Sequence, residues 1–188
     1  MNKRIGKYNV IVNALAIFAV IVSGLIGSEA LGYIACIVIA LSFVQLTCTF
    51  AMYGRQGARL ASDAAKIFAG VFAAVGLLVY TVHLTAILRS DVNILQGSLP
   101  EFLYSLDLLA NCLMGVATFF SCIGVKVRSV ADRVLKLMLM LNIVVAASCY
   151  IVPLYAEPIW GVVLINFWCI YFIALDILAF IHFSGRKG

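Results

Sequence analysis

One stretch decides the fold of this chain: residues 103–125 read LYSLDLLANCLMGVATFFSCIGV. A helix rises about 1.5 Å per residue, so a helix of this length spans the ~30 Å hydrocarbon core of a bilayer. Its one charged residue is Asp107, and a charge in hydrocarbon is costly unless it faces other helices or a polar cavity. Helical spacing places Asp107, Asn111 and Thr118 on one face and aliphatic residues on the other. The stretch therefore predicts a transmembrane helix with a polar face that packs against other helices.

The composition of the whole chain agrees with a membrane protein. Its 188 residues are 65% hydrophobic and only 11% charged, with a mean hydropathy of +1.14. Soluble domains are only about 45–50% apolar. The charged residues are concentrated between long apolar runs, which is the pattern of a polytopic helical membrane protein. This composition excludes an ordinary soluble domain.

Six apolar runs follow one another along the chain, so we predict an all-α fold, a single transmembrane bundle of six helices formed by residues 1–188. The first run is longer than the ~7–15-residue apolar region of a secretory signal peptide, and we interpret it as a retained span. The polar segment 54–66 is predicted to be a loop, and Ser98 with Glu101 has the spacing of a capping box that starts the fourth helix. The predicted spans are residues 8–27, 31–53, 67–88, 102–125, 134–155 and 158–183.

The basic residues predict how the helices are oriented. If successive connections lie on alternate sides, twelve of the thirteen lysines and arginines fall on one side and Arg89 alone falls on the other. Basic connections remain in the cytoplasm, so we predict that both termini are cytoplasmic. This distribution accounts for the net charge of +5 without nucleic acid as a partner. We expect a multi-pass protein in the lipid bilayer of a bacterial cytoplasmic (inner) membrane.

One group of polar residues is predicted near the outer ends of the helices. His83 and Asp107 are each about five residues from the outer ends of consecutive spans, so they are expected to be neighbours. An imidazolium can neutralise a buried carboxylate, and a neutral imidazole can share its proton. Tyr80, Asn111 and Asn166 are expected at comparable or slightly greater depth. These five residues are our predicted site for a substrate or a proton, and a polar clamp between helices is the alternative.

A second polar group is predicted near the cytoplasmic ends, and it consists of Asp176, Asn13, Gln45 and Asn142. These residues either line a cavity open to the cytoplasm or form hydrogen bonds that fix the helix packing. Asp107 and Asp176 are expected about 10 Å or more apart along the membrane normal. They therefore do not form an aspartyl-protease pair, whose carboxyl groups share a proton at ~3 Å.

No motif identifies an enzyme or a cofactor. The six cysteines have neither a CxxC pair nor zinc-type spacing, and the two histidines are too few for a multi-haem cytochrome. The sequence has no GxSxG, HExxH or phosphate-binding glycine loop. We predict no catalytic residue, no metal and no cofactor, and an intramembrane enzyme is the least favoured class.

The second half of the chain resembles small six-span bacterial integral membrane proteins of unknown function. The resemblance rests on residues 106–107 (LD), 115–118 (GVAT), the basic connection that follows and 141–142 (LN), and it implies no activity. We predict an integral membrane protein that binds or transports a small molecule or an ion through its polar intramembrane site. The alternative is a non-catalytic scaffold or accessory subunit that packs against a membrane partner or a second copy of itself.

Overall fold

A computed structural model describes residues 2–53, 58–89, 99–155 and 158–185. Within these ranges the chain is helical and contains no strand, which confirms the all-α prediction for the described residues. Five of the helices are long and apolar enough to cross a membrane, namely α1, α2, α3, α4 and α6. The helices are α1 (Asn2–Ile26), α2 (Glu29–Tyr53), α3 (Arg59–Arg89), α4 (Leu99–Gly124), α5 (Val130–Tyr155) and α6 (Pro158–Ser184).

The six helices form a closed ring in chain order. Each helix packs against the next one in sequence, α1 closes the ring against α6, and α2 also contacts α4 across the interior. Neighbours are antiparallel: Gly6, near the start of α1, lies against Phe183, near the end of α6. Both termini therefore lie at one end of the bundle, which we call the termini end, and we call the opposite end the hairpin end. That the termini end faces the cytoplasm stays a prediction.

The outer surface of the ring is apolar. Soluble monomers rarely expose contiguous apolar patches of more than a few hundred Å². Here large apolar side chains are more than half exposed on several helices, and they include Leu15, Phe18, Leu78, Ile170 and Ile177. Such a surface is suited to lipid, and together with the five long apolar helices it indicates an integral membrane protein.

The third helix begins earlier than predicted, at Arg59, so that much of the expected loop 54–66 is helical. Its polar residues interact along the exposed helix: Lys66 Nζ donates to Asp63 Oδ1 at 2.6 Å, and Arg59 Nε lies 3.9 Å from Asp63 Oδ2. Pairs of opposite charge three or four residues apart are neighbours on the surface of a helix. Apolar length alone does not detect such a polar extension.

Side-chain hydrogen bonds cap the start of α5. Ser129 Oγ accepts a hydrogen bond from the Asp132 amide at 3.1 Å, and Asp132 Oδ2 accepts bonds from the Ser129 and Arg128 amides at 2.9 Å each. These bonds satisfy backbone donors that the first helical turn leaves unpaired. The sequence analysis did not identify this capping box. The one predicted for α4 includes Ser98, which lies outside the described residues.

Small residues let α4 and α5 approach closely. A Cβ added to Gly115 would lie 2.5 Å from the Cβ of Ala146 and 3.3 Å from the carbonyl oxygen of Asn142. Membrane helices pack through such small residues because lipid offers no hydrophobic drive for helix association. The contact places Thr118 of α4 beside Asn142 of α5.

Candidate functional site

A pocket of about 280 Å³ lies between α1, α2, α3, α4 and α6, towards the hairpin end. We call it the Asp107 pocket. Most of its wall is apolar, which is typical of small-molecule sites, where a few polar groups orient the ligand. The polar and aromatic side chains that line it include Tyr33, Tyr80, Tyr104, Asp107, Asn111 and Trp168.

Tyr80 holds Asp107 in the wall of the pocket. Its hydroxyl donates to Asp107 Oδ1 at 2.7 Å, and Tyr80 is only 8% exposed, so water competes little for this bond. Among the described residues, no donor bonds to Asp107 Oδ2, and no lysine, arginine or histidine nitrogen lies within ion-pair distance of the carboxylate. One carboxylate oxygen is therefore available to a ligand.

His83 does not contact the Asp107 carboxylate. Its Nδ1 lies 2.9 Å from the carbonyl oxygen of Val79 on its own helix, and its ring stacks on Tyr33 with centroids 4.9 Å apart. His83 follows Tyr80 by nearly one helical turn and faces α2, whereas Tyr80 faces α4. The structure thus places a Tyr80–Asp107 hydrogen bond where the sequence analysis expected a His83–Asp107 pair.

The two asparagines of the predicted site are placed differently. Asn111 lines the pocket one turn after Asp107, and its Nδ2 donates to the Asp107 carbonyl oxygen at 3.0 Å. Asn166 is exposed on α6 and does not line the pocket, although the preceding residue Ile165 does. Of the five residues predicted for this site, Tyr80, Asp107 and Asn111 share one pocket, and the other two lie beside it.

Asp176 belongs to a separate hydrogen-bonded group. It is 2% exposed, and its Oδ2 accepts a bond from Asn13 Nδ2 at 2.9 Å. Asn13 Oδ1 in turn accepts a bond from Ser42 Oγ at 2.8 Å. This network joins α6, α1 and α2. The sequence analysis left Ser42 out of the cluster, because residue type alone does not show that a serine bonds to another helix.

A small cavity of about 20 Å³ adjoins Asp176. Space of this size holds about one water molecule. Three further hydroxyl groups are available to such a water, because Thr47, Thr118 and Ser121 also line the cavity. We call it the Asp176 cavity.

Two aromatic rings in contact line the cavity and the larger pocket, one each. Phe72 lines the Asp107 pocket and Phe43 lines the Asp176 cavity, and the rings pack edge to face with centroids 5.3 Å apart. The two aspartates therefore line different spaces. Their separation offers no geometry for the shared proton of an aspartyl protease.

Gln45 and Asn142 do not join the Asp176 network. Gln45 is exposed on the outside of α2. Asn142 is fully buried, and its Nδ2 donates to Thr118 Oγ1 at 2.9 Å across the α4–α5 contact. The predicted inner cluster is thus two separate hydrogen-bonded groups, and Gln45 belongs to neither.

A further polar contact, which the sequence analysis missed, joins α5 and α6 at the termini end. His182 Nδ1 lies 2.6 Å from Asp132 Oδ1, with side chains that are 12% and 7% exposed. Burial by itself raises the pKa of Asp132, which precedes the predicted fifth span, but the hydrogen bonds from His182, the Arg128 amide and Ser129 outweigh burial and lower that pKa. The contact fixes how the ends of α5 and α6 sit against each other.

Comparisons of the chain with protein-family models, with curated proteins and with solved structures found no match. The assignment of function therefore depends on the geometry described above.

Proposed function

We propose that this integral membrane protein binds a small molecule or an ion in the Asp107 pocket and carries it through the membrane. One observation supports the proposal: a pocket of about 280 Å³ contains a carboxylate that has no lysine, arginine or histidine nitrogen within 4.0 Å among the described residues. Ionisable groups inside a membrane are expensive to maintain and are characteristic of substrate and ion pathways.

The size of the pocket argues against a purely structural role. A cavity of about 150 Å³ accepts benzene, so 280 Å³ accommodates a larger molecule. A hydrogen bond that only joins two helices does not require so much space beside it.

A polar clamp that only held α3 against α4 would need neither a second carboxylate oxygen nor the space beside it. The Tyr80–Asp107 hydrogen bond alone would join the two helices, and it uses only Oδ1 of the carboxylate. Neither the unbonded Oδ2 nor the surrounding space contributes to such a clamp. Both are accounted for if a ligand completes the site.

Native mass spectrometry of protein extracted gently from its membrane tests binding. Val20→Phe places a larger side chain in the pocket, and Val12→Phe is the matched control, because Val12 is 45% exposed on the outside of the same helix. We expect a small molecule to be retained by the wild type and by Val12→Phe, and to be lost from Val20→Phe. Equal retention by both variants would contradict binding in this pocket. Co-purification of a stoichiometric protein partner without a small molecule would favour the scaffold alternative.

Uptake into membrane vesicles tests transport of the molecule found. Asp107→Asn removes the charge at nearly constant shape, and we expect it to abolish proton-coupled uptake while the protein folds normally. Tyr80→Phe keeps the carboxylate and removes its donor, so we expect a smaller loss. Unchanged uptake by Asp107→Asn would remove Asp107 from the transport path.

A further inference from the structure

We infer that the ligand of the Asp107 pocket is a small organic cation with an apolar body, such as an aryl or alkyl ammonium ion. The inference rests on the proposed function and adds the chemical class of the ligand. It follows from the charge of the wall, the aromatic side chains around that charge, and the charges near the hairpin end.

Asp107 is the one charged side chain that lines the pocket among the described residues. An anionic ligand would place like charges together in a medium of low dielectric constant, where their repulsion is strong. A neutral ligand would leave the carboxylate without a partner for its charge. An ammonium group opposite Oδ2 balances the charge, and one that carries an N–H also donates to the free acceptor.

Aromatic side chains from four helices line the same pocket as the carboxylate. Tyr33 comes from α2, Tyr80 from α3, Tyr104 from α4 and Trp168 from α6. The faces of tyrosine and tryptophan rings attract cations, and groups of such rings recognise quaternary ammonium ions. The remaining wall is aliphatic and suits an apolar body. The pocket thus combines the two features that an organic cation requires.

An inorganic cation fits the pocket less well. Calcium takes six to eight oxygen ligands and magnesium requires near-octahedral geometry, so both need several oxygens that converge. Besides tyrosine hydroxyls, the pocket supplies one carboxylate and the amide of Asn111, and no three His, Cys, Asp or Glu side chains in the described ranges converge as a metal site. Its volume of about 280 Å³ is also far larger than a bare ion requires.

The charges near the hairpin end favour the approach of a cation. Glu29 lies in the first turn of α2, four residues before Tyr33, and Glu101 lies in the first turn of α4, three residues before Tyr104. Arg89 is the one lysine or arginine that the described helices place at this end. Negative charge around a site of low dielectric constant raises the local concentration of cations.

The test compares two probes of the same shape: benzyltrimethylammonium and neopentylbenzene, in which carbon replaces the charged nitrogen. Equilibrium dialysis against the full chain in phosphatidylcholine nanodiscs, corrected with empty nanodiscs, measures the affinity for each. In a Trp160→Phe background, emission from Trp168 reports occupancy of the pocket, because the chain has two tryptophans. We expect the cation to bind at least about tenfold more tightly than its neutral analogue.

Variants separate this inference from the proposed function. We expect Asp107→Asn to reduce the affinity for the cation about tenfold and to leave the neutral probe unchanged. Tyr104→Leu removes a half-exposed ring, so the variant should fold normally. We expect it to lower the affinity for the cation more than the affinity for the neutral probe. If the wild type bound both probes with equal affinity and Val20→Phe abolished the binding of each, the ligand would not be a cation, but the pocket would remain a binding site. If neither probe bound, or if Val20→Phe left the affinity for both probes unchanged, the inference would be wrong. The proposed binding pocket itself would then also be in question.

Discussion

Gly115 offers a direct test of how α4 and α5 pack. In Gly115→Ala the new Cβ would lie 2.5 Å from the Cβ of Ala146, whereas carbon atoms in good contact are about 3.5–4.0 Å apart. The helices must therefore separate by about 1 Å or more, and overpacking of this kind costs about 1–3 kcal/mol. Replacing glycine by alanine in a helix gains about 0.5–1 kcal/mol. The two ranges leave a net loss of about 0–2.5 kcal/mol in the free energy of unfolding. We expect a loss of at least about 1 kcal/mol, because the new Cβ would also lie 3.3 Å from the carbonyl oxygen of Asn142.

Reversible unfolding by a denaturing detergent in bicelles, followed by helical circular dichroism, measures this loss. Gly70→Ala is the matched control, because a Cβ added to Gly70 on α3 meets nothing within 4 Å. We expect this control to be neutral or up to about 1 kcal/mol more stable than the wild type. The difference between the two variants isolates the cost of the close contact.

A compensating change at Ala146 tests the contact between the two helices directly. Ala146→Gly in the Gly115→Ala background removes the opposing Cβ, and we expect it to restore more than half of the lost stability. If Gly115→Ala were as stable as Gly70→Ala, or if the double variant recovered nothing, α4 and α5 would not make the contact described here.

Three further predictions concern the polar contacts and the orientation of the chain. Asn13→Leu leaves the buried Asp176 without its donor and should lower the free energy of unfolding by about 1–3 kcal/mol. Adding Asp176→Leu should restore much of this loss. If Asn13→Leu alone were as stable as the wild type, the bond would not contribute to stability. His182→Ala should destabilise the protein at neutral pH. Because folding lowers the pKa of Asp132, the resulting stabilisation is present above the unfolded pKa of about 3.9 and is lost as the pH falls through the folded pKa. The free energy of unfolding should therefore differ more between pH 7 and pH 3 in the wild type than in the variant. Glu29→Cys should react with a membrane-impermeant maleimide in intact cells, and labelling only after lysis would reverse the predicted orientation.

The helices could be predicted because hydropathy determines them, but their ends depend on other interactions. A run of apolar residues long enough to cross a bilayer has few stable structures other than a helix, since lipid offers no partner for backbone groups. The first turns of α3, from Arg59, are polar and exposed and contain ion pairs with Asp63. The start of α5 depends on bonds between side chains and backbone at Ser129 and Asp132. Neither effect changes the apolar length of a segment.

For the candidate site, the sequence predicts the depth of each side chain in the membrane but not the rotation of each helix about its axis. Counting residues from the ends of consecutive helices placed His83 at the level of Asp107 and Tyr80 at a comparable or slightly greater depth, because the rise per residue is constant. Which side chain of α3 reaches the carboxylate depends on how the helix turns about its axis. That rotation directs Tyr80 towards Asp107 and His83 towards Tyr33. The contact between Asp132 and His182 likewise depends on the register of α5 against α6.

The edge-to-face pair of Phe43 and Phe72 has a consequence for permeation. It joins a ring that lines the Asp107 pocket to a ring that lines the Asp176 cavity, and neither ring has an oxygen atom that could replace the hydration shell of an ion. An ion that passed the two rings would lose its polar partners, and an unpaired charge in an apolar medium is costly. Passage beyond the two phenylalanines, rather than entry into the pocket, should therefore be the slow step of transport.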